Sequence, residues 1–318
     1  MAAEKNNIPL TQFFFALFHN LPKLLLTNLL FAVPFAVFFG IFYLINKVTA
    51  LGSNFILFLS VIPLFPFYAG VIQVTSHMAR GEEDVDVLHN FFYGIKDNLL
   101  RFLIHGVVFY AAIVFSYYSI NMYLNLGKSN GMFYVFFVIS IIIAVIFLFA
   151  FFYIPSMTVT FDLSMKNIYK NSMLMTFGEL KHNLFAVLGL FVLFLISATA
   201  LVCCGNAVAL IVVTVILALF ILPSIAAFII NSAVYERMYN MIVNGKKKAD
   251  EINKKIENRK NGQFFDDEDK KTVVPEDFDD IEIDASKDGD EYIFYNGKMV
   301  KRSVLLRQKE QAQKKEND

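Results

Sequence analysis

Six long stretches of this sequence carry no Asp, Glu, Lys or Arg: Leu24–Ile45, Phe55–Val74, Phe102–Leu124, Met132–Ile154, Leu184–Cys204 and Ala207–Ile230. Each is near or above the roughly 20 residues that a helix needs to cross about 30 Å of hydrocarbon. The soluble alternative is a large core of buried helices. Against it stand 57% hydrophobic residues, 36 Phe and charge confined almost wholly to loops and tail. The expected fold is all-α, a polytopic membrane protein with six transmembrane helices.

Net charge is zero, so bulk electrostatics favours neither nucleic acid nor an acidic partner. Its distribution is directional. Lys5, Lys23, Arg80, Lys96, Arg101, Lys166, Lys170, Lys181, Arg237 and Lys246–Lys248 fall in segments on one side, and only Lys47 and Lys128 on the other. By the positive-inside bias, both termini and the two longer loops, 75–101 and 158–183, face the cytoplasm of a cell (inner) membrane, and the outer face is three short turns. The first span is too long for the apolar region of a cleavable signal and has no small-residue cleavage site after it, so an uncleaved anchor is expected.

The spans fall into three pairs. Three passages align on Asn-Leu at Asn20, Asn98 and Asn183, with Lys96 and Lys181 each two residues before the Asn. Each leads into a span, a short turn and a second span with proline near its inner end: Pro63 and Pro66, Pro155, Pro223. The pattern predicts three repeated helical hairpins, each preceded by a cytoplasmic amphipathic helix; the alternative is chance similarity among Phe- and Leu-rich segments. The second lead-in aligns Leu88, Phe91, Phe92, Ile95 and Leu99 on one face, with Asp84 and Asp86 as caps. The third, after a cap at Asp162, aligns Tyr169, Met173, Thr176, Phe177 and Leu180. Such faces suit the inner leaflet or a partner's groove.

Inside the spans the only ionisable residue is His105, one turn from the interface, where a hydrogen bond to a neighbouring helix is the expected role. Asn28, Gln73, Asn121, Ser140, Thr199 and Thr214 are scattered singly, as interhelical hydrogen bonds require. Walker, G-x-G-x-x-G and H-E-x-x-H motifs do not occur, and the histidines lack metal spacing. No catalytic residue, cofactor or metal site is expected. Adjacent Cys203 and Cys204 read as packed thiols.

The domain plan follows: an N-terminal amphipathic segment 1–23, a six-span domain 24–235, a charged helical extension 236–262, an acidic linker 263–290 with the composition of a disordered segment, and a last piece 291–318. In that piece apolar residues Tyr292, Phe294 and Met299 flank Asn296-Gly297, the favoured pair for a two-residue hairpin turn, with a short basic helix from Arg302 to follow. A lone hairpin is marginal in water, so it reads as a tethered docking element.

The motifs TNLLFAVP of Thr27–Pro34, LFPFYAGVIQVTSHMARGEE of Leu64–Glu83 and HNFFYGIKDNLLR of His89–Arg101 resemble the YesL-like family of bacterial membrane proteins of unknown function. The resemblance covers residues 10–235, more loosely from Ile154 through Phe191. It implies an inner-membrane protein of the kind commonly encoded near carbohydrate-uptake permeases and two-component sensors; it implies no catalytic residues. The function expected is that of a non-enzymatic integral membrane protein whose partners are the lipid bilayer and a membrane permease or sensor. A small transporter or channel, with a path between the hairpins, is the alternative.

Overall fold

In hydrocarbon a backbone has only its own carbonyls to satisfy its N–H groups, so apolar runs become helices. The computed structural model describes residues 10–49, 54–82, 84–245, 292–295 and 298–304. It divides into two compact units, Phe15–Glu236 and Met1–Phe14 with Arg237–Asp318. Six helices are long and apolar enough to cross a membrane: Leu21–Val48, Asn54–Ala79, Val87–Ser129, Phe133–Thr160, Leu180–Val202 and Ala207–Asn244. They contain the six uncharged runs to within a residue or two, and the chain is an all-α polytopic membrane protein.

Helix α1 (Leu10–His19) precedes the first span, α2 (Leu21–Val48). The second span is α3 (Asn54–Leu59) and α4 (Val61–Ala79), separated at Ser60, whose hydroxyl donates to Leu57 O at 2.7 Å. Spans three, four and five are α5 (Val87–Ser129), α6 (Phe133–Thr160) and α8 (Leu180–Val202), with α7 (Met165–Gly178) between the last two. The sixth span joins α9 (Ala207–Ile216), a π-helical turn Leu217–Ile221, α10 (Leu222–Tyr239) and a second π turn, Asn240–Asn244.

Helix carries further into the connecting segments than expected. Since α4 runs to Ala79 and α5 starts at Val87, the loop 75–101 reduces to residues 80–86. The second lead-in is the first four turns of α5 itself. Asp86 caps it, accepting from the His89 N–H at 3.1 Å. The α7 cap is Ser164, not Asp162; Asp162 instead faces Arg101 Nη2 at 3.4 Å. The lead-in faces also differ from expectation: Phe91 is buried with Gly94 and Asn98, while Leu88, Phe92 and Leu99 are exposed. In α7, Ile168, Ser172, Met175 and Thr176 are buried and Met173 and Phe177 are exposed, as is Leu180 at the start of α8.

The three passages around Asn20, Asn98 and Asn183 therefore share a buried Asn but not a common helix path. Interruptions of the helix at Asn20 and Glu179 separate α1 from α2 and α7 from α8, whereas α5 runs straight through Asn98. The closest helix contact also crosses the expected pairing, because it joins α4 to α5. A Cβ on Gly70 would lie 2.7 Å from Phe91, one on Gly94 would lie 2.6 Å from Gln73 Cβ, and one on Gly106 would lie 2.9 Å from Phe65 Cβ. Small residues let the two backbones approach as helices in lipid require.

Burial gathers at the end of the bundle that carries α7. The buried residues of α2 are Leu24, Thr27, Asn28, Phe31 and Ala32, all in its first half, and those of α6 apart from Ser140 run from Phe152 to Thr160. Toward the other end, the buried residues of α5, α6 and α8 are the small Ala112, Gly127, Ser140 and Ser197, and α9 has none. Cys203 and Cys204 there are free thiols, Cys203 exposed rather than packed.

In the other unit, β1 (Tyr292–Tyr295) and β2 (Lys298–Lys301) form an antiparallel hairpin pairing Ile293 with Val300 and Phe294 with Met299. Asn296 and Gly297 lie outside the described residues, as do the extension from residue 246, the acidic linker 263–290 and the end beyond Val304.

The glycine contacts give a direct stability prediction. Gly94→Leu should destabilise the protein by about 1–3 kcal/mol through overpacking, since Gln73 Cβ and the Ala69 carbonyl already occupy the space. Gly40→Ala, which meets nothing within 4 Å, should leave the thermal midpoint in detergent unchanged or raised.

Candidate functional site

Four buried side chains clasp the α7 end. Asn231 of α10 joins three spans: the Ser156 hydroxyl of α6 donates to its Oδ1, and its Nδ2 donates to Thr75 Oγ1 of α4 at 2.8 Å and toward Ile72 O at 3.5 Å. Thr75 passes its own hydrogen to Val71 O at 2.7 Å. Asn231 is therefore satisfied on both sides of its amide.

Asn28 of α2 acts at the broken sixth span. Pro223 brings no N–H to the helix, and the turn before it opens to π geometry. Asn28 fills the gap: Nδ2 donates to Ala218 O at 3.2 Å, and Oδ1 accepts from the Ser224 N–H at 2.9 Å. A single amide thus supplies the donor and acceptor that the irregular turn needs.

His105, fully buried in α5, has its ring Nε2 2.9 Å from Thr158 Oγ1 and its Nδ1 2.8 Å from the Tyr169 hydroxyl of α7. Thr158 gives its hydrogen to Ile154 O at 2.7 Å, so it accepts from Nε2–H, and Nδ1 accepts from Tyr169. The pattern closes with a neutral ring. Burial pushes the Tyr169 hydroxyl above its ordinary pKa, which keeps it a donor. Asn183 completes the set, accepting from the Tyr153 hydroxyl at 2.6 Å and donating to Thr176 O at 3.0 Å. That ties α6 to the α7–α8 joint.

Asn20 and Asn98, aligned with Asn183 in the sequence, are also buried, but each returns its Nδ2 to its own chain, to Ala16 O at 2.9 Å and to Gly94 O at 3.1 Å. Lys96 and Lys181 are exposed, and Lys181 Nζ lies 5.9 Å from the Phe185 ring centre. Of the scattered polar residues, Asn28 bonds between helices; Asn121, Ser140 and Thr214 bond carbonyls one turn back in their own helices. Sequence reasoning missed Asn231, Ser156, Thr158 and Thr75. Nothing local in the sequence marks them, since their partners lie far away along the chain.

One charged cluster lies at the end of α4. Gly81, with φ of 82°, adopts the left-handed conformation that closes a helix, and its N–H and that of Glu82 return to Met78 O at 3.0 Å and His77 O at 3.3 Å. This turn folds the Glu82 carboxylate back to 2.5 Å from His77 Nδ1 and 2.9 Å from Arg80 Nε. His77 Nε2 then accepts from Gln73 Nε2 at 3.0 Å. Partial burial works to raise the Glu82 pKa, yet the hydrogen bonds from His77 and Arg80 and the charge of Arg80 outweigh it and hold the carboxyl below the usual range.

No group of three or more His, Cys, Asp and Glu side chains suited to a metal occurs among the described residues. Fold and contacts define a multi-pass helical membrane protein in which Asn28, His105, Asn183 and Asn231 join helix to helix. A family model described as a protein of unknown function, DUF624, matches residues 24–120, which span α2 to most of α5 and include the three motifs at Thr27–Pro34, Leu64–Glu83 and His89–Arg101. No curated protein and no solved structure matches the chain.

Asn231→Leu should lower stability by about 1–2 kcal/mol, because it strips one intramembrane amide from three spans at once. Asn121→Ala should be neutral in the same detergent unfolding assay. The Glu82 contribution has a defined pH window. Its folded-state pKa is depressed, so the stabilisation is present above the ordinary value of 4.5 and is lost as pH falls through the lower one. Melting curves between about pH 3 and 6 should show that slope, and Glu82→Gln should remove it.

Proposed function

We propose that the chain is a non-enzymatic accessory protein of the cell membrane, an assembly or regulatory partner of another membrane complex, with both termini and the α7 end facing the cytoplasm. One observation carries the reading: Asn28, His105, Asn183 and Asn231 direct their hydrogen bonds at neighbouring helices of the same bundle. These four side chains are thereby committed to holding a scaffold together. What such a scaffold offers to others is its surface. The resemblance to the YesL-like family points to a carbohydrate-uptake permease, or a sensor protein, as the complex served.

Affinity purification from native membranes in mild detergent tests this. A permease or sensor recovered at near one-to-one stoichiometry is the expected result; a chain that reproducibly elutes alone rejects it. A second reading, a small transporter or channel, draws on the Ser156–Asn231–Thr75 contact, where uncharged polar groups of spans two, four and six meet. Solute flux into proteoliposomes above the leak of empty vesicles would favour it over the accessory role.

A further inference from the structure

Helix α5 is 43 residues long, about 65 Å at 1.5 Å per residue, against some 40–45 Å for a bilayer with its headgroups. Its uncharged run starts only at Phe102, so the first four turns, which carry Lys96, Asp97 and Arg101, extend past the hydrocarbon. These turns have two faces. Phe91, Gly94 and Asn98 are buried, the first two against α4. The outer face holds Leu88, Phe92, Leu99 and Leu100, 49–68% exposed. Helix α7 repeats the arrangement: Ile168, Ser172 and Met175 are buried, and Met173, Leu174 and Phe177 are exposed beside Lys166 and Lys170. Phe15 and Phe18, just before Asn20 in α1, are exposed as well, at 75% and 69%.

The outer stripe of α5 continues without a break into the span through Ile104, Val107 and Val108, and the stripe of α7 continues through Leu180, Leu184 and Phe185 of α8. An apolar surface continuous with the lipid-facing surface is in place for the same solvent. The exposed Lys96 stands one turn after Phe92, and the exposed Lys181 four residues after Phe177 across the break at Glu179; lysine side chains at an interface extend their ammonium groups toward the phosphates. We infer that the outer faces of α5's first four turns and of α7, with Phe15 and Phe18, form a collar embedded in the interfacial layer of one leaflet, and that its lysines select anionic phospholipid. Continuity with the lipid-facing surface favours lipid over a protein groove as the occupant, with the exposed side chains of Lys96, Lys166, Lys170 and Lys181 to meet its phosphates. The inference stands independently of the accessory reading.

The sequence contains no Trp, so a single replacement creates a unique fluorophore. Phe92→Trp and Phe177→Trp are made in the full chain and reconstituted in nanodiscs of phosphatidylcholine with phosphatidylglycerol. Emission should be blue-shifted and quenched more by lipids brominated near the headgroup than by lipids brominated near the chain ends. Ile142→Trp, at an exposed position within α6, should show the opposite order. Should either collar variant fail to fold, Phe15→Trp or Leu99→Trp takes its place. At equal bromine depth, brominated phosphatidylglycerol should report about two- to fivefold local enrichment over phosphatidylcholine, and the combined Lys96→Gln, Lys166→Gln, Lys170→Gln and Lys181→Gln variant should abolish it. Red-shifted, unquenched emission from the collar positions overturns the lipid assignment and gives the face to water or a protein partner. Embedded tryptophans with no headgroup preference overturn the anionic selectivity.

Discussion

Apolar helices gain nothing by leaving lipid for one another, since acyl chains are as apolar as leucine. A bundle in hydrocarbon must therefore be held by close approach and by hydrogen bonds, and this one concentrates both at its α7 end. Glycines at 70, 94 and 106 bring α4 and α5 together. Asn28, His105, Asn183 and Asn231 link the remaining helices to that pair or to each other. Away from that end, the buried positions of α5, α6 and α8 are small residues.

The irregular sixth span illustrates how a defect is accommodated. Proline within a lipid-exposed helix would strand backbone groups at a cost of several kcal/mol each. Here the π turn at Leu217–Ile221 and the Asn28 amide meet the irregularity together. Asn28 thus has no need of a substrate to account for its burial. Similar logic applies to His105, whose two ring nitrogens both have hydroxyl partners.

The spans were legible because charge is so costly in hydrocarbon that its absence marks them one by one. His105 was legible for the same reason, as a lone ionisable group near an interface. The lead-in faces were not. Apolar residues lie on both sides of α5's first turns, and periodicity cannot tell the side that meets α4 from the side that meets lipid; only Gly94, bare of a side chain, marks the packed side. Asn231 was hidden by distance, since Thr75 and Ser156 are 156 and 75 residues away in sequence. The Asn20, Asn98 and Asn183 alignment picked out three buried amides, yet the backbone path around each differs because the helix is interrupted at Asn20 and Glu179 and not at Asn98.

The bond from Asn28 to the Ser224 backbone spans 196 residues. A ribosome adding about 5–20 residues per second makes the second partner some 10–40 seconds after the first. During that interval the first span sits in the membrane with its amide unmatched, and the fourth and second spans wait likewise for Asn231. Assembly therefore has two stages: spans two to five can pack through the glycine contacts and the His105 and Asn183 bonds as they emerge, and the Asn28 and Asn231 links close only when Leu222–Tyr239 arrives.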